Sequence, residues 1–274
     1  FLHYSSKPGA QKIPLNWWAK PFPGNFGDWL SPLVLSNFTD NRIIWQPPTK
    51  PTSKKHLVSI GSIGRFIKPN SVVVGTGISS QDIQLARRAD YISVRGPLTA
   101  ETLMKSGGPI VDSFGDPGLA LSEVIPLKRS KTNGKVALIR HFSHLAVPLK
   151  LPENFDELSV LISHPDAISD FLKNLIGYES VVTSAMHIMI ACQSYGIPCA
   201  LVTFEGFQEN VHGTGIKYQD YALGAGVEVM NPELIALDLR KIDFDNITRD
   251  IAVSKEKKVE VVQSLKTAIS RFDI

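Results

Sequence analysis

Several polar residues fall where a short apolar run gives way to a helical pattern, the junctions at which open α/β sheets bind their ligands. In Ser184-Ala185-Met186-His187, Ser184 can cap the helix that follows, and His187 lies three residues on, in its first turn. A histidine there can touch an anion held by the exposed N–H groups and exchange a proton near neutral pH, or simply make a capping contact. In Val94-Arg95-Gly96-Pro97, Arg95 stands directly before a helix start, an end that already carries partial positive charge. It needs an anion beside it, either a ligand or an acidic side chain such as Glu101. Gly24-Asn25-Phe26-Gly27-Asp28 precedes a third helical pattern over 29–35. Its glycines permit close backbone approach, and Asp28 either caps the helix or takes a proton from a hydroxyl, capping being the simpler role. Arg140 and His141 end another apolar run, and because successive strand side chains alternate between faces, at most one of them enters a common cleft. His164, in Ser163-His164-Pro165, also follows an apolar run and can line that cleft.

Other chemistries are poorly supported. The spacing of His, Cys, Asp and Glu suggests no metal centre, and the sequence has no Gly-x-Ser-x-Gly elbow for a serine hydrolase. Val74-Gly75-Thr76-Gly77 ends a buried run, but position 80 is Ser where a dinucleotide fingerprint needs its third glycine, so nicotinamide binding is disfavoured. This pair and the 61–64 stretch read as turns. His3, His56, His144 and His212 join no constellation and read as structural or surface residues. Cys192 and Cys199 fit no metal spacing and are too few for a disulfide framework, which points to a reducing compartment. With 29 basic and 26 acidic residues, the net charge of +3 is too small for a nucleic-acid binder but suits a small anionic ligand. No apolar run approaches the length of about 20 residues that a spanning helix needs, and the first ten residues do not have the pattern of a signal peptide. The chain therefore reads as a cytoplasmic protein, with at most peripheral contact with the inner face of a membrane.

The elements that must position these residues form a strand–loop–helix rhythm, the signature of parallel sheets. In the first half, strands are expected over 56–60, 71–74, 91–94 and 110–111, and helices over 82–88 and 97–105, the latter with Pro97 at a favoured first position and Gly107-Gly108 as its stop. The stretch 126–134 gathers Pro, Gly, charge and turn formers and reads as a linker. The rhythm restarts beyond it, with strands over 135–139, 158–162, 180–183 and 199–202 and helices over 167–175 and 186–195. Ser254 can cap a last helix whose Val262, Leu265, Ile269 and Phe272 share a face. In 274 residues this amounts to two α/β halves, over 1–128 and 129–274.

Taken together, GNFGDWL (24–30), VVVGTGI (72–78), SVRGPLTAETL (93–103), GDPGLAL (115–121), ISHP (162–165), SAMHIMIACQSYGIP (184–198) and KYQDY (217–221) resemble the polysaccharide pyruvyl transferase family in order and spacing. The resemblance implies two Rossmann-like domains facing each other across a cleft, a glycosyltransferase-B-like architecture, with the acceptor on the first domain and phosphoenolpyruvate on the second. It implies transfer of the enolpyruvyl carbons of phosphoenolpyruvate to two hydroxyls of a sugar in a cell-surface polysaccharide or its precursor. A pyruvate ketal forms and phosphate leaves, with no cofactor and no metal. The partners implied are phosphoenolpyruvate and a glycan or lipid-linked saccharide.

By the same resemblance, His187, Asp28 and Arg95 are the expected catalytic residues, and Gly27, Asn25, Arg140, His141, Ser184 and His164 the expected substrate-binding ones. Ala185 and Ile188 depart from the family pattern, where some members carry Arg and Gly, and Arg140 is a candidate for the missing anion contact. Two other readings share this architecture: a nucleotide-sugar glycosyltransferase, and a non-catalytic glycan- or phosphate-binding relative.

Overall fold

Runs of β-branched residues buried on both faces, such as Val72-Val73-Val74, are what parallel strands covered by helices require. The computed structural model, which describes residues 3–4 and 11–273, contains two such sheets. The first comprises β1 (His3–Tyr4), β2 (Lys12–Asn16), β3 (Arg42–Gln46), β4 (His56–Val58), β5 (Ser71–Val74) and β6 (Asp90–Ser93), in the order β1-β3-β2-β4-β5-β6. Only β1, at the edge, runs antiparallel. Between β2 and β3 lies α1 (Phe26–Leu35); α2 (Pro97–Lys105) and the short α3 (Leu121–Val124) follow β6.

The second sheet is wholly parallel, in the order β11-β10-β9-β7-β8. Its strands are β7 (Val136–Ile139), β8 (Phe155–Glu157), β9 (Ser180–Thr183), β10 (Cys199–Phe204) and β11 (Glu233–Ile235). Its helices are α4 (Pro165–Leu175), α5 (Met186–Tyr195) and α6 (Ile216–Ala225). The last helix, α7 (Lys255–Ser270), starts from the Ser254 cap and crosses back onto β5 and β6, where Arg271 meets Asp90 at 3.1 Å. Its buried positions are Val261, Leu265, Ala268 and Ile269.

One continuous apolar core joins the sheets. Phe26 and Leu30 of α1 and Ile188 and Ile190 of α5 belong to it, and Phe26 meets Phe171 of α4 with ring centroids 5.3 Å apart.

Three expected elements are absent. The 82–88 stretch forms no helix: Leu85 N–H donates to Ser106 Oγ and the Tyr91 hydroxyl donates to Ala86 C=O, so these backbone groups are taken by side chains. The 110–111 stretch is irregular, and pairing beside β6 comes instead from the single bridge Val94–Phe114. The strand expected over 158–162 lies earlier, at β8, which pairs with β7; Val160 is buried in the core, but its carbonyl accepts the Phe26 N–H at 2.9 Å instead of joining a strand ladder. Strand β2 escaped notice because Pro14 interrupts it, and proline is ordinarily confined to sheet edges.

Helices α2 and α6 touch backbone to backbone. A Cβ added to Gly96 would fall 1.8 Å from Asp220 O, and one added to Gly224 would fall 1.9 Å from Arg95 O. Gly96→Ala and Gly224→Ala must therefore push the two helices apart. Each should cost about 3 kcal/mol, the upper range for overpacking, measured by urea unfolding, whereas Gly134→Ala in the open linker meets no atom and should cost only about 1 kcal/mol for its left-handed φ of +71°.

Candidate active site

A cavity of about 400 Å³ opens where the strands of both sheets end. Its walls come from the segments after β2, β4, β5, β7, β8, β9 and β10, the carboxyl ends at which parallel sheets place ligands.

The start of α5 forms one wall. Ser184 was expected to cap this helix, but Ala185 occupies the cap position and offers no side-chain oxygen. The Ser184 hydroxyl is buried behind it, accepting the His141 N–H at 2.9 Å and meeting His144 Nδ1 at 2.9 Å. His144 Nε2 lies 3.1 Å from Phe207 C=O, which can only accept, so Nε2 carries the proton and Nδ1 receives the serine O–H; burial lowers the histidine's pKa in the same direction. With Ser184 so engaged, the Met186 and His187 N–H groups have no protein partner among the described residues. They form an open, electropositive helix end beside the cavity.

His187 is wedged between two elements. Its Nε2 is buried 3.8 Å from Asp116 Oδ2, and neither atom has a hydrogen-bond partner. Asp116 is fully buried, and its other oxygen accepts Gly118 N–H at 2.9 Å. On its other side the imidazole presses on α1, where a Cβ at Gly27 would lie 2.6 Å from Nδ1. Only glycine allows this approach. Nδ1 is thus the nitrogen left on the cavity side.

The first turn of α1 is closed by its own capping box. Asn25 Oδ1 accepts the Gly27 and Asp28 N–H groups, and Asp28 Oδ2 accepts from Asn25 Nδ2 at 2.7 Å. Asn25, Gly27 and Asp28 all line the cavity. Burial raises the Asp28 carboxyl well above its ordinary value, against the smaller effect of the Asn25 backbone N–H. His141 also lines the cavity; burial, with the Lys217, His144 and His187 charges, lowers it to about 3 and keeps it neutral. Lys217, on α6, is brought down to about 8 by burial and by the charge of Arg95.

Arg95 does not reach the cavity surface. It is 1% exposed, donating from Nε to Asp220 Oδ2 at 3.0 Å, from Nη1 to Ser62 Oγ at 2.9 Å and from Nη2 to Ile78 C=O at 2.7 Å. Asp220 also accepts the Thr99 N–H and hydroxyl, at 2.9 and 2.7 Å. The anion required at the start of α2 is therefore Asp220. Glu101 pairs with Lys105 instead, at 2.6 Å.

Two other expected residues lie away from the cavity. Arg140, just beyond the end of β7, turns to Glu157 and to the His144 and Val147 carbonyls, away from the cavity that His141 lines. His164 is exposed and caps α4, its Nδ1 accepting Asp166 N–H at 3.3 Å. Sequence reasoning missed Asp116 and Lys217 as site residues, although both lie in stretches that carried the family resemblance. It also missed Trp18, Arg65 and Phe66, and read His212 as structural or surface, yet all four line the cavity. No group of three or more His, Cys, Asp or Glu among the described residues is arranged to hold a metal ion.

Fold and site define a two-sheet α/β protein with an electropositive cleft between the sheets. The chain belongs to the polysaccharide pyruvyl transferase family, whose model matches residues 24–205. Among curated proteins, the uncharacterized protein L143 of Acanthamoeba polyphaga mimivirus is 25% identical over 262 residues, covering 91% of this chain and 90% of its own. No solved structure matches significantly. Among the described residues, no helix is long and apolar enough to cross a membrane.

Asp220→Ala would strand the Arg95 charge in the interior and uncap α2. It should cost about 3–5 kcal/mol in urea unfolding, and Arg95→Met combined with Asp220→Leu should cost less than Asp220→Ala alone, because no buried charge is then left unpaired.

Proposed function

We propose that the protein transfers the enolpyruvyl group of phosphoenolpyruvate onto two hydroxyls of a sugar in a polysaccharide or its precursor, forming a pyruvate ketal and releasing phosphate. Beyond family membership, the observation that carries this reading is His187. It sits at an uncapped helix start, backed by the buried Asp116 carboxylate, in a cavity that Lys217 also lines. In this reading the two halves, 1–128 and 129–274, act as facing Rossmann-like domains of glycosyltransferase-B-like arrangement, with the donor on the second.

Phosphoenolpyruvate brings a phosphate and a carboxylate. The Met186 and His187 N–H groups and the Lys217 ammonium supply matching positive charge. Ketal formation needs a proton on the methylene carbon, attack of the first hydroxyl on the adjacent carbon, loss of phosphate, and attack of the second hydroxyl. The first hydroxyl's proton balances the one delivered to carbon, and the second leaves on phosphate. His187 Nδ1 delivers the first proton and then receives the hydroxyl's, while Asp116 steadies Nε2–H and the imidazolium. Asp28 orients the acceptor hydroxyl. Arg95 acts at one remove, holding Ser62 at the cavity wall and lowering the Lys217 amine.

Phosphoenolpyruvate, and not a panel of nucleoside diphosphates, should raise the thermal unfolding midpoint. A shift from nucleoside diphosphates alone would overturn the reading. Because a Lys217 titrating at about 8 loses its charge as pH rises, affinity for phosphoenolpyruvate should fall about tenfold between pH 7 and pH 9. In Lys217→Arg, calorimetric titration should show that fall abolished. His187→Ala should lower phosphate release about 10²–10⁴-fold. Asp116→Asn should lower turnover while phosphoenolpyruvate binding survives, and displace the pH–rate profile.

A further inference from the structure

The cavity has a second wall, away from the α5 residues, whose chemistry phosphoenolpyruvate does not require. Trp18, just beyond β2, stacks on Phe66 with ring centroids 5.6 Å apart and planes 19° from parallel. Each ring carries a cation. Arg65 lies 4.7 Å from the Phe66 centroid, and Lys20 lies 5.9 Å from that of Trp18. Both side chains are exposed, and neither has an acidic partner within ion-pair distance among the described residues. In the loop after β4, Ser62 accepts from Arg95, so its own O–H proton is left to donate into the cavity.

Unpaired cations held over aromatic faces are positioned charges: the rings limit where they sit while leaving their outer sides to solvent. Among the described residues, Asp28 is the only carboxylate lining this cavity, and burial opposes its ionisation. A neutral sugar would use the rings and the Ser62 hydroxyl but would leave both cations without counter-charge. Resting on the proposed reading, we infer that the Trp18–Phe66 wall is the acceptor subsite and that it takes an anionic glycan, one whose reacting sugar bears or adjoins a phosphate or a carboxylate. Arg65, which lines the cavity, selects that charge, Lys20 adds to it from just outside the lining, and the exposed ring edges with the Ser62 hydroxyl hold the sugar.

The test is calorimetric titration of the full chain with matched probes in the gluco, galacto and manno series: the methyl glycoside, the sugar 1-phosphate and the methyl glycoside of the uronic acid, with inorganic phosphate as control. In at least one series an anionic member should bind about tenfold tighter than its neutral counterpart and tighter than phosphate alone. The winner tells phosphate from carboxylate. Arg65→Gln with Lys20→Gln should erase that advantage while leaving the affinity for phosphoenolpyruvate unchanged. Equal binding of charged and neutral members, absence of sugar binding, or a preference that survives the double variant overturns the inference. Phosphoenolpyruvate is titrated separately. If it fails to bind while the charge preference persists, the pyruvyl donor is wrong and the anionic subsite stands; if it binds without any charge preference, only the subsite falls.

Discussion

Arg95 and Asp220 form an ion pair with side chains 1% and 0% exposed, and much of the molecule is arranged around the need to keep both charges satisfied. Burying two ions is tolerable only when every remaining donor and acceptor finds a partner. Thr99 completes Asp220, while Ser62 and Ile78 complete Arg95. The consequences are spatial. The end of β6 is locked to α6, Gly96 and Gly224 let the two backbones meet, and α2 has its first turn capped from outside by the Asp220 carboxylate. Lys217 sits one turn before Asp220 on α6, so the same pair brings the cavity's lysine close enough to feel the Arg95 charge.

The helix starts around the cavity are treated differently, and the difference leaves one of them open. α1 satisfies its own N–H groups through Asn25 and Asp28. α5 has a serine at hand and does not use it, because Ser184 is committed to His141 and His144. The result is an open helix end with a histidine in its first turn. The Asp116 oxygen behind that histidine is buried without a partner, an arrangement costly in stability and intelligible when a proton must move through the imidazole.

Much of the framework was legible in the sequence. The expected spans 71–74, 97–105, 180–183 and 186–195 coincide with β5, α2, β9 and α5, because their signals are local: apolar periodicity, Pro97 at a first turn, Gly196 at a helix end. The expected 82–88 helix failed for a tertiary reason, since Ser106 and Tyr91 claim its backbone groups. Strand alternation was expected to admit at most one of Arg140 and His141, but both lie beyond the end of β7, and it is the Arg140–Glu157 pair that leaves His141 as the one lining the cavity. Trp18, Arg65 and Phe66 carried no motif at all. They are ordinary in sequence and become a wall only when β2 and β4 lie side by side.

The sequence by itself determined the parallel α/β rhythm, the helix starts that face the strand ends, and the fact that Arg95 must have an anion beside it. These follow from periodicity, capping chemistry and the sign of the helix dipole, all of which act within a few residues. Only the tertiary structure decided that the anion is Asp220, 125 residues away, that Asp116 stands behind His187, and that Ser184 is withdrawn from its helix. Partner choice of that kind depends on which distant segments the core brings within hydrogen-bond reach, and no local preference encodes it.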